Sequence, residues 1–363
     1  MKKQKVTTHD ISKLLGISRN TVSKALNNHA SVSEQTKQKV REAAASLGYK
    51  SVDATAAEET EAASMTARGG IAFITNIFTP ANNGFWMGVI KGIEEITAKN
   101  GYELLFDFIK PDELAKLSLP SCVVNRSVNG LIVSGYLSKE YTDLLASVDL
   151  PKVFLDARPD LSFSALYADI LLVENEDSVY DMTSHLIGRG HRHLGFVGDI
   201  TSCRSFMERW LGFKRALLDA GLTLEPDYCA TGPNPSQYHH YDDIENAFKR
   251  LEAFPTAFVC ANDTIAIRVI QYLRNKGFQV PEHIAVTGFD HSEHADFVTP
   301  ALTTVHYDEK DWGRRAAEEL LWRMNNPARP YELVRLGTKV IYNDSTSTVP
   351  TSLPVAAAPN VSR

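Results

Sequence analysis

Two kinds of hydrophobic spacing divide this chain. Over the first 50 residues, apolar positions recur three and four apart, as on one face of short helices. Ile11, Leu14 and Leu15 mark a first helix that Thr7 is suited to cap, with Val6 outside and Ile11 inside as a hydrophobic staple. Gly16 ends it. Ser18 caps a second helix, with Ile17 and Val22 as its staple pair, leaving the short link of a helix-turn-helix. On that second helix Val22, Ala25 and Leu26 turn inward, while Arg19, Asn20, Ser23, Lys24 and Asn27 turn out.

From Gly69 onward the spacing changes to short continuous apolar runs: IAFIT, YELLFDF, GLIVS, KVFLD, HLGFVG, TAFVCAN and IAVTGF. Amphipathic stretches such as FWMGVIKGIEEITAKNG and FMERWLGFKRALLDAG lie between them, each closed by a glycine. This alternation predicts parallel sheets covered by helices on both faces, and the number of units predicts two α/β lobes. The fold class is therefore an N-terminal all-α headpiece followed by an α/β core of two doubly wound parallel-sheet lobes. Residues 51–68, rich in Ala and Glu, read as a linker, partly helical by propensity. Residues 345–363 carry Pro, Ser, Thr and Ala without periodicity and read as a disordered tail.

Charge sharpens the picture. Residues 1–50 hold ten Lys/Arg against three Asp/Glu, a net of +7 in a chain whose formal charge is −6, which leaves −13 on the other 313 residues. A basic head on an acidic body points to phosphate binding by the head alone. An outward Arg19–Asn20 pair in the first turn of a capped helix suits base edges in the major groove.

Other classes find little support. No apolar run approaches the roughly 20 residues of a membrane span, and the basic start lacks the apolar segment of a secretory signal, so a cytoplasmic protein is expected. Cys122, Cys203, Cys229 and Cys260 are far apart, which argues for reduced thiols and against a zinc site. No GxSxG, GxxxxGK[ST] or HExxH appears, so no enzyme, cofactor or metal is expected. The pair His239–His240 lies in a polar stretch and reads as solvated.

With these residues in view, the chain resembles the lactose-repressor/galactose-repressor (LacI/GalR) family of bacterial transcription regulators. The resemblance rests on GISRNTVSKALN and VSEQTKQKVREAAASLGY in the head. In the body it rests on HLIGRGHRHLGFVGD, RWLGFKRALLDAGL, PTAFVCANDTIAIRVIQYLRNKGFQVPEHIAVTGFDHSE and PALTTVHYDEKDWGRRAAEELL. It implies a headpiece at 1–50, a hinge at 51–68 and a periplasmic-binding-protein-like core at 69–344. Lobe 1 would span about 69–170 and 305–325, and lobe 2 about 171–304 and 326–344.

The resemblance also implies roles. Arg19, Asn20 and Lys24 would read bases; Thr8, Ser18, Thr21, Ser23 and Asn27 would contact phosphates. Leu14, Val22, Leu26 and Val40 would form the headpiece core. Asp156, Arg209, Asn262, Asp263 and Asp290 would line an effector cleft, with Phe85, Trp86, Phe206, Trp210 and Tyr238 supplying ring faces. A plainer reading stands beside each: Asp263 and Asp290 as helix caps, Trp86 and Trp210 as core.

The chain departs from the family at the hinge. Tyr49 is followed by Lys-Ser-Val-Asp and then Glu58, Glu59 and Glu61, and no Leu is present. Met65 is the candidate wedge for the minor groove, opposed by those carboxylates. His291 and Arg268 also stand at unusual positions, and the tail lacks leucine heptads, which makes a homodimer the default.

The expected function is a repressor that binds a pseudo-palindromic double-stranded operator under control of a small-molecule effector, a sugar or sugar derivative. A nucleobase or partner protein as controlling ligand, activation in place of repression, and a pure solute-binding protein are the alternatives.

Overall fold

The computed structural model describes residues 7–26, 29, 32–47, 69–76, 83–251 and 253–347. Asn27, the linker with Met65, and the tail beyond 347 lie outside the described residues.

The headpiece contains α1 (Thr8–Leu15), α2 (Arg19–Leu26) and α3 (Glu34–Leu47). Asp10, in the first turn of α1, accepts from both the N–H and the hydroxyl of Thr7, each at 2.7 Å. Gly16 adopts φ 65°, a left-handed conformation that suits glycine and stops α1. Ser18 Oγ accepts from the Thr21 N–H at 3.0 Å and so opens α2. Ser33 does the same for Thr36 at the head of α3, at 3.3 Å.

Ile11, Val22, Ala25, Val40, Ala43 and Ala44 form the buried centre, with Leu15, Ile17 and Leu26 packed against it. Leu14 does not join them; it is 57% exposed. The buried stripe of α1 runs through Ile11, Ser12 and Leu15, and position 14 lies roughly 100° around the helix from its centre. Ser12 fits there because its hydroxyl donates to the His9 carbonyl at 2.8 Å.

The core is built on two parallel sheets. The first contains β1 (Gly70–Thr75), β2 (Glu103–Phe108), β3 (Val128–Ser134), β4 (Lys152–Leu155), β5 (Asp169–Val173) and β10 (Leu333–Leu336), in the order β10-β5-β4-β3-β1-β2. The second contains β6 (Leu194–Val197), β7 (Ala257–Cys260) and β8 (Ala285–Thr287). A short antiparallel pair, β9 (Thr304–His306) with β11 (Lys339–Ile341), stands apart. β1, β4, β5, β6, β7 and β8 are buried at every position, as strands covered on both faces must be.

Around the first sheet lie α4 (Asn83–Lys99), α5 (Pro111–Lys116), α6 (Ser121–Val124) and α7 (Lys139–Ala146). The chain continues with α8 (Glu176–Gly188), α9 (Arg204–Asp219), α10 (Tyr241–Phe248), α11 (Asp263–Asn275), α12 (Glu293–Phe297) and α13 (Glu309–Asn325). The helix α13 returns to the first sheet and packs against α4.

The lobe boundaries differ from the expectation. β5 runs to Val173 in the first sheet, so the first crossover comes after 170. β10 pairs with β5 from Leu333↔Ile170 to Leu336↔Val173, which puts residues 333–336 in the first lobe. Its single apolar triplet interrupted by Arg335 gave no strand signal, and β9 and β11, at three residues each, were too short to read. The tail also begins later than expected. Ser345 is fully buried, accepting from the Thr303 N–H at 2.8 Å and donating to the Val286 carbonyl at 2.6 Å. Thr346 meets the Thr303 hydroxyl at 2.7 Å. Its composition suggested disorder, but these hydroxyls pair with backbone of the second lobe.

Two glycines let α4 and α13 approach. A Cβ on Gly92 would stand 2.0 Å from the Lys310 carbonyl oxygen, and one on Gly313 would stand 2.0 Å from that of Val89. Both obstacles are backbone and cannot swing aside. Gly313→Ala is expected to destabilise the core by about 1–3 kcal/mol in urea unfolding. Gly188→Ala, where nothing lies within 4 Å, is expected to be near neutral.

Candidate functional site

The outward face of α2 comes first because it is built by purely local means. Ser18 starts the helix, Val22 and Ala25 anchor it inward, and Arg19, Asn20, Ser23 and Lys24 are left exposed. None of these four side chains is hydrogen-bonded or ion-paired to another described residue. Ser18 is exposed and Thr21 half-buried; their hydroxyls meet at 2.8 Å. Thr8 is half-buried at the start of α1. Two basic groups, an amide and several hydroxyls thus share one helix end, with donors for phosphates and for base edges.

In the core, a cleft of about 1020 Å³ of empty space, its open mouth included, lies at the carboxyl ends of the parallel strands, where open α/β sheets hold ligands. Asp156 follows β4, Asn262 and Asp263 follow β7, and Asp290 follows β8. Phe206 and Arg209 come from the first turns of α9, and Phe85 and Trp86 from the first turn of α4.

Arg209 is 4% exposed and fully engaged. Its Nε donates to Asn175 Oδ1 at 2.9 Å, one Nη to the Ala261 carbonyl at 2.6 Å and the other to Asp290 Oδ1 at 3.3 Å. Its guanidinium also sits 3.5 Å from the centroid of the Phe289 ring. Asp290 accepts a second bond from the Tyr307 hydroxyl at 3.2 Å. It therefore orders the cleft and caps no helix. Asn262 does cap α11, accepting from the Ile265 N–H at 2.9 Å.

Trp210 and Tyr238 do not line the cleft. Trp210 follows Arg209 by one residue, so it points about 100° away, and stacks on Phe213 at 5.6 Å. Tyr238 is buried and donates to the Gly232 carbonyl at 3.0 Å. Its neighbour His239 lines the cleft instead, contrary to the expectation of a solvated pair. Asn262 Oδ1 is committed to its cap, so Nδ2 is the group that faces His239 Nε2 at 3.2 Å, and the imidazole accepts. Burial pulls His239 down to about 4, which keeps the ring neutral. Arg268 Nε donates to the His239 carbonyl at 3.2 Å and so braces this loop. His291 stands outside the cleft, Nδ1 to Nδ1 with His306 at 3.0 Å.

Sequence reasoning missed Ser134, Tyr136, Tyr307, Trp312 and Glu293 in the lining. Tyr136 and Tyr307 each follow a strand, as Asp156 does, and that position is a signal that could have found them. Trp312 joins Phe85, Trp86 and Tyr307 in one aromatic group, with centroids 6.0–6.2 Å from Trp312. Among the described residues no group of three or more His, Cys, Asp or Glu is placed to hold a metal ion. Nor is any described helix long and apolar enough to cross a membrane.

Residues 7–51 match the family model of bacterial regulatory proteins, lacI family, and residues 183–346 match a periplasmic binding protein-like domain. Over 344 residues the chain is 30% identical to the HTH-type transcriptional repressor PurR of Vibrio cholerae serotype O1 (strain M66-2), covering 93% of this chain and 97% of that protein. The chain belongs to the lacI family.

This lacI-family protein is a DNA-binding transcriptional repressor and not an enzyme, in keeping with its relatives. It is also 27% identical over 345 residues to the ribose operon repressor of Haemophilus influenzae, covering 93% of this chain and 98% of that one. Among solved structures, the transcriptional regulator CelR–cellobiose complex covers 94% of this chain and 100% of its own, with a TM-score of 0.67 at 21% identity. The lac repressor dimer bound to operator and the anti-inducer ONPF covers 94% and 99%, with a TM-score of 0.62 at 20% identity. Both share the fold found here: helix-turn-helix headpiece and α/β core.

Asp263 is the cleft's most displaced acid. Burial, with the charge of Asp290 second, pushes it up to about 8, although its oxygens accept from the Thr304 hydroxyl at 2.6 Å and the Ser292 N–H at 2.7 Å. A raised carboxyl pKa makes the folded state the tighter proton binder. Its contribution is full below the ordinary carboxylate range and is lost as pH rises towards about 8. His239 acts in the opposite sense, costing stability as pH falls from the ordinary histidine range towards about 4. Asp263→Asn is expected to flatten the fall in Tm between about pH 5 and 8. His239→Gln should leave the part of that limb above the ordinary histidine range intact and change only the more acid part.

Proposed function

We propose that this lacI-family repressor acts as a homodimer, each α2 reading one half-site of a pseudo-palindromic operator, and that a small molecule in the core cleft alters operator affinity. The exposed Arg19–Asn20–Ser23–Lys24 face carries the DNA half of this reading. Arg19, Asn20 and Lys24 meet base edges; Thr8, Ser18, Thr21 and Ser23 meet phosphates. Asn27 and Met65 keep the roles expected from the sequence, a phosphate contact and a minor-groove wedge, although both lie outside the described residues.

The cleft carries the other half. It joins elements of both sheets, so a ligand there touches each lobe at once. A ligand that binds one relative lobe angle better shifts the population towards it, and 1–3 kcal/mol of difference is enough to regulate. Carboxylates, an amide and ring faces suit a sugar or sugar derivative. A nucleobase is the second reading, supported by the paired aromatic walls and by the likeness to PurR repressors.

Selection of bound sequences from random duplexes tests the first half, and repeating it with sugars and with purines tests the second. An enriched pseudo-palindrome is expected, with recovery changed by one ligand class. Arg19→Ala is expected to weaken that operator by about 1–3 kcal/mol and to relax preference at one position per half-site. Equal loss on every sequence would assign Arg19 to the backbone instead.

A further inference from the structure

We infer that the ligand of this cleft carries a positive charge: a protonated amine on a small polar molecule whose faces lie against the aromatic side chains. The inference rests on the cleft being the regulatory ligand site and adds the ligand's charge to that reading.

Four acids line the cleft, Asp156, Asp263, Asp290 and Glu293, against one Lys/Arg among the described residues, Arg209. Arg209 is already spent, since Asn175, Ala261 and Asp290 take its donors and Phe289 takes its face. That pairing offsets Asp290 alone. The Asp263 oxygens face Thr304 and Ser292, neither of them cationic.

Asp156 and Glu293 remain without a counter-charge. Asp156 accepts from the backbone N–H groups of Ala157 at 2.6 Å and Ser205 at 3.3 Å. Neither acid forms an ion pair with a described residue. A neutral ligand that filled the cleft would strip water from both carboxylates and return only hydrogen bonds, which leaves two charges desolvated and unpaired. An ammonium group removes that penalty. It also matches the aromatic group of Phe85, Trp86, Tyr307 and Trp312, whose ring faces attract cations. Two donors have no partner among the described residues, Ser134 Oγ, 2% exposed, and Trp312 Nε1 in a side chain 6% exposed. The same molecule therefore also presents acceptors, as an amine bearing hydroxyl or ether oxygens does.

The test measures Tm of the full chain without DNA, followed by operator affinity, against pairs of probes matched in skeleton. D-glucosamine is set against D-glucose, D-galactosamine against D-galactose, choline against 3,3-dimethyl-1-butanol, and D-glucuronate serves as the anionic control. At least one amine is expected to raise Tm and to change operator affinity, with its uncharged counterpart at least about tenfold weaker. Asp156→Asn, which tolerates the φ of 80° at that position, and Glu293→Gln should each shrink the amine's advantage over its uncharged counterpart, read as the ligand-induced shift from each variant's own unliganded Tm. If neutral or anionic probes bind as well as amines and alter operator affinity, the charge assignment falls and the ligand site stands. If no probe of any charge moves either readout, both fall.

Discussion

One buried guanidinium organises the cleft of the core. Arg209 reaches from the first turns of α9 to Asn175 on the crossover after β5, to the chain end of β7 and to Asp290 after β8. It thereby fastens the strand ends of the second sheet to the segment that leaves the first. Removing it would leave Asp290 inside the protein without its counter-charge, a loss on the order of 3–5 kcal/mol for a broken buried pair. The orientation of Tyr307 would go with it, because Asp290 is what its hydroxyl binds.

Legibility followed locality. The headpiece could be read nearly to the residue, since caps, staples and the exposed face of α2 all act within a few turns of chain. Its one error, Leu14, was an error of phase: a leucine three residues after Ile11 fits a helical stripe as well as Ser12 does on paper. In the core, long apolar strands announced themselves, whereas β9, β10 and β11 are short and carry His, Arg and Lys. The partner of β10 lies more than 150 residues away in β5, and β9 and β11 pair only with each other across the length of α13, so no local pattern marks them.

The cleft shows the same division. Asp156, Asn262, Asp263 and Asp290 came from the family resemblance, and they meet in the cleft because each follows a strand and strand ends converge in this architecture. Choosing between Arg209 and Trp210 requires the rotational setting of α9, which only packing supplies; the larger, more apolar residue went to the core beside Phe196 and Phe213. Tyr238 and His239 were exchanged for a similar reason. A loop has no period, and whichever ring finds a backbone acceptor, here Tyr238 with Gly232, is turned from the cleft.

The anchored segment at Asp344–Thr346 has a practical side. Its hydroxyls and carbonyls engage Val286, Thr303 and Arg189, elements contributed by three separate stretches of the second lobe. This short turn thus works as a clasp across three stretches of the lobe. Trimming back to Tyr342 would open the clasp and take from the Thr303 N–H its acceptor, Ser345 Oγ.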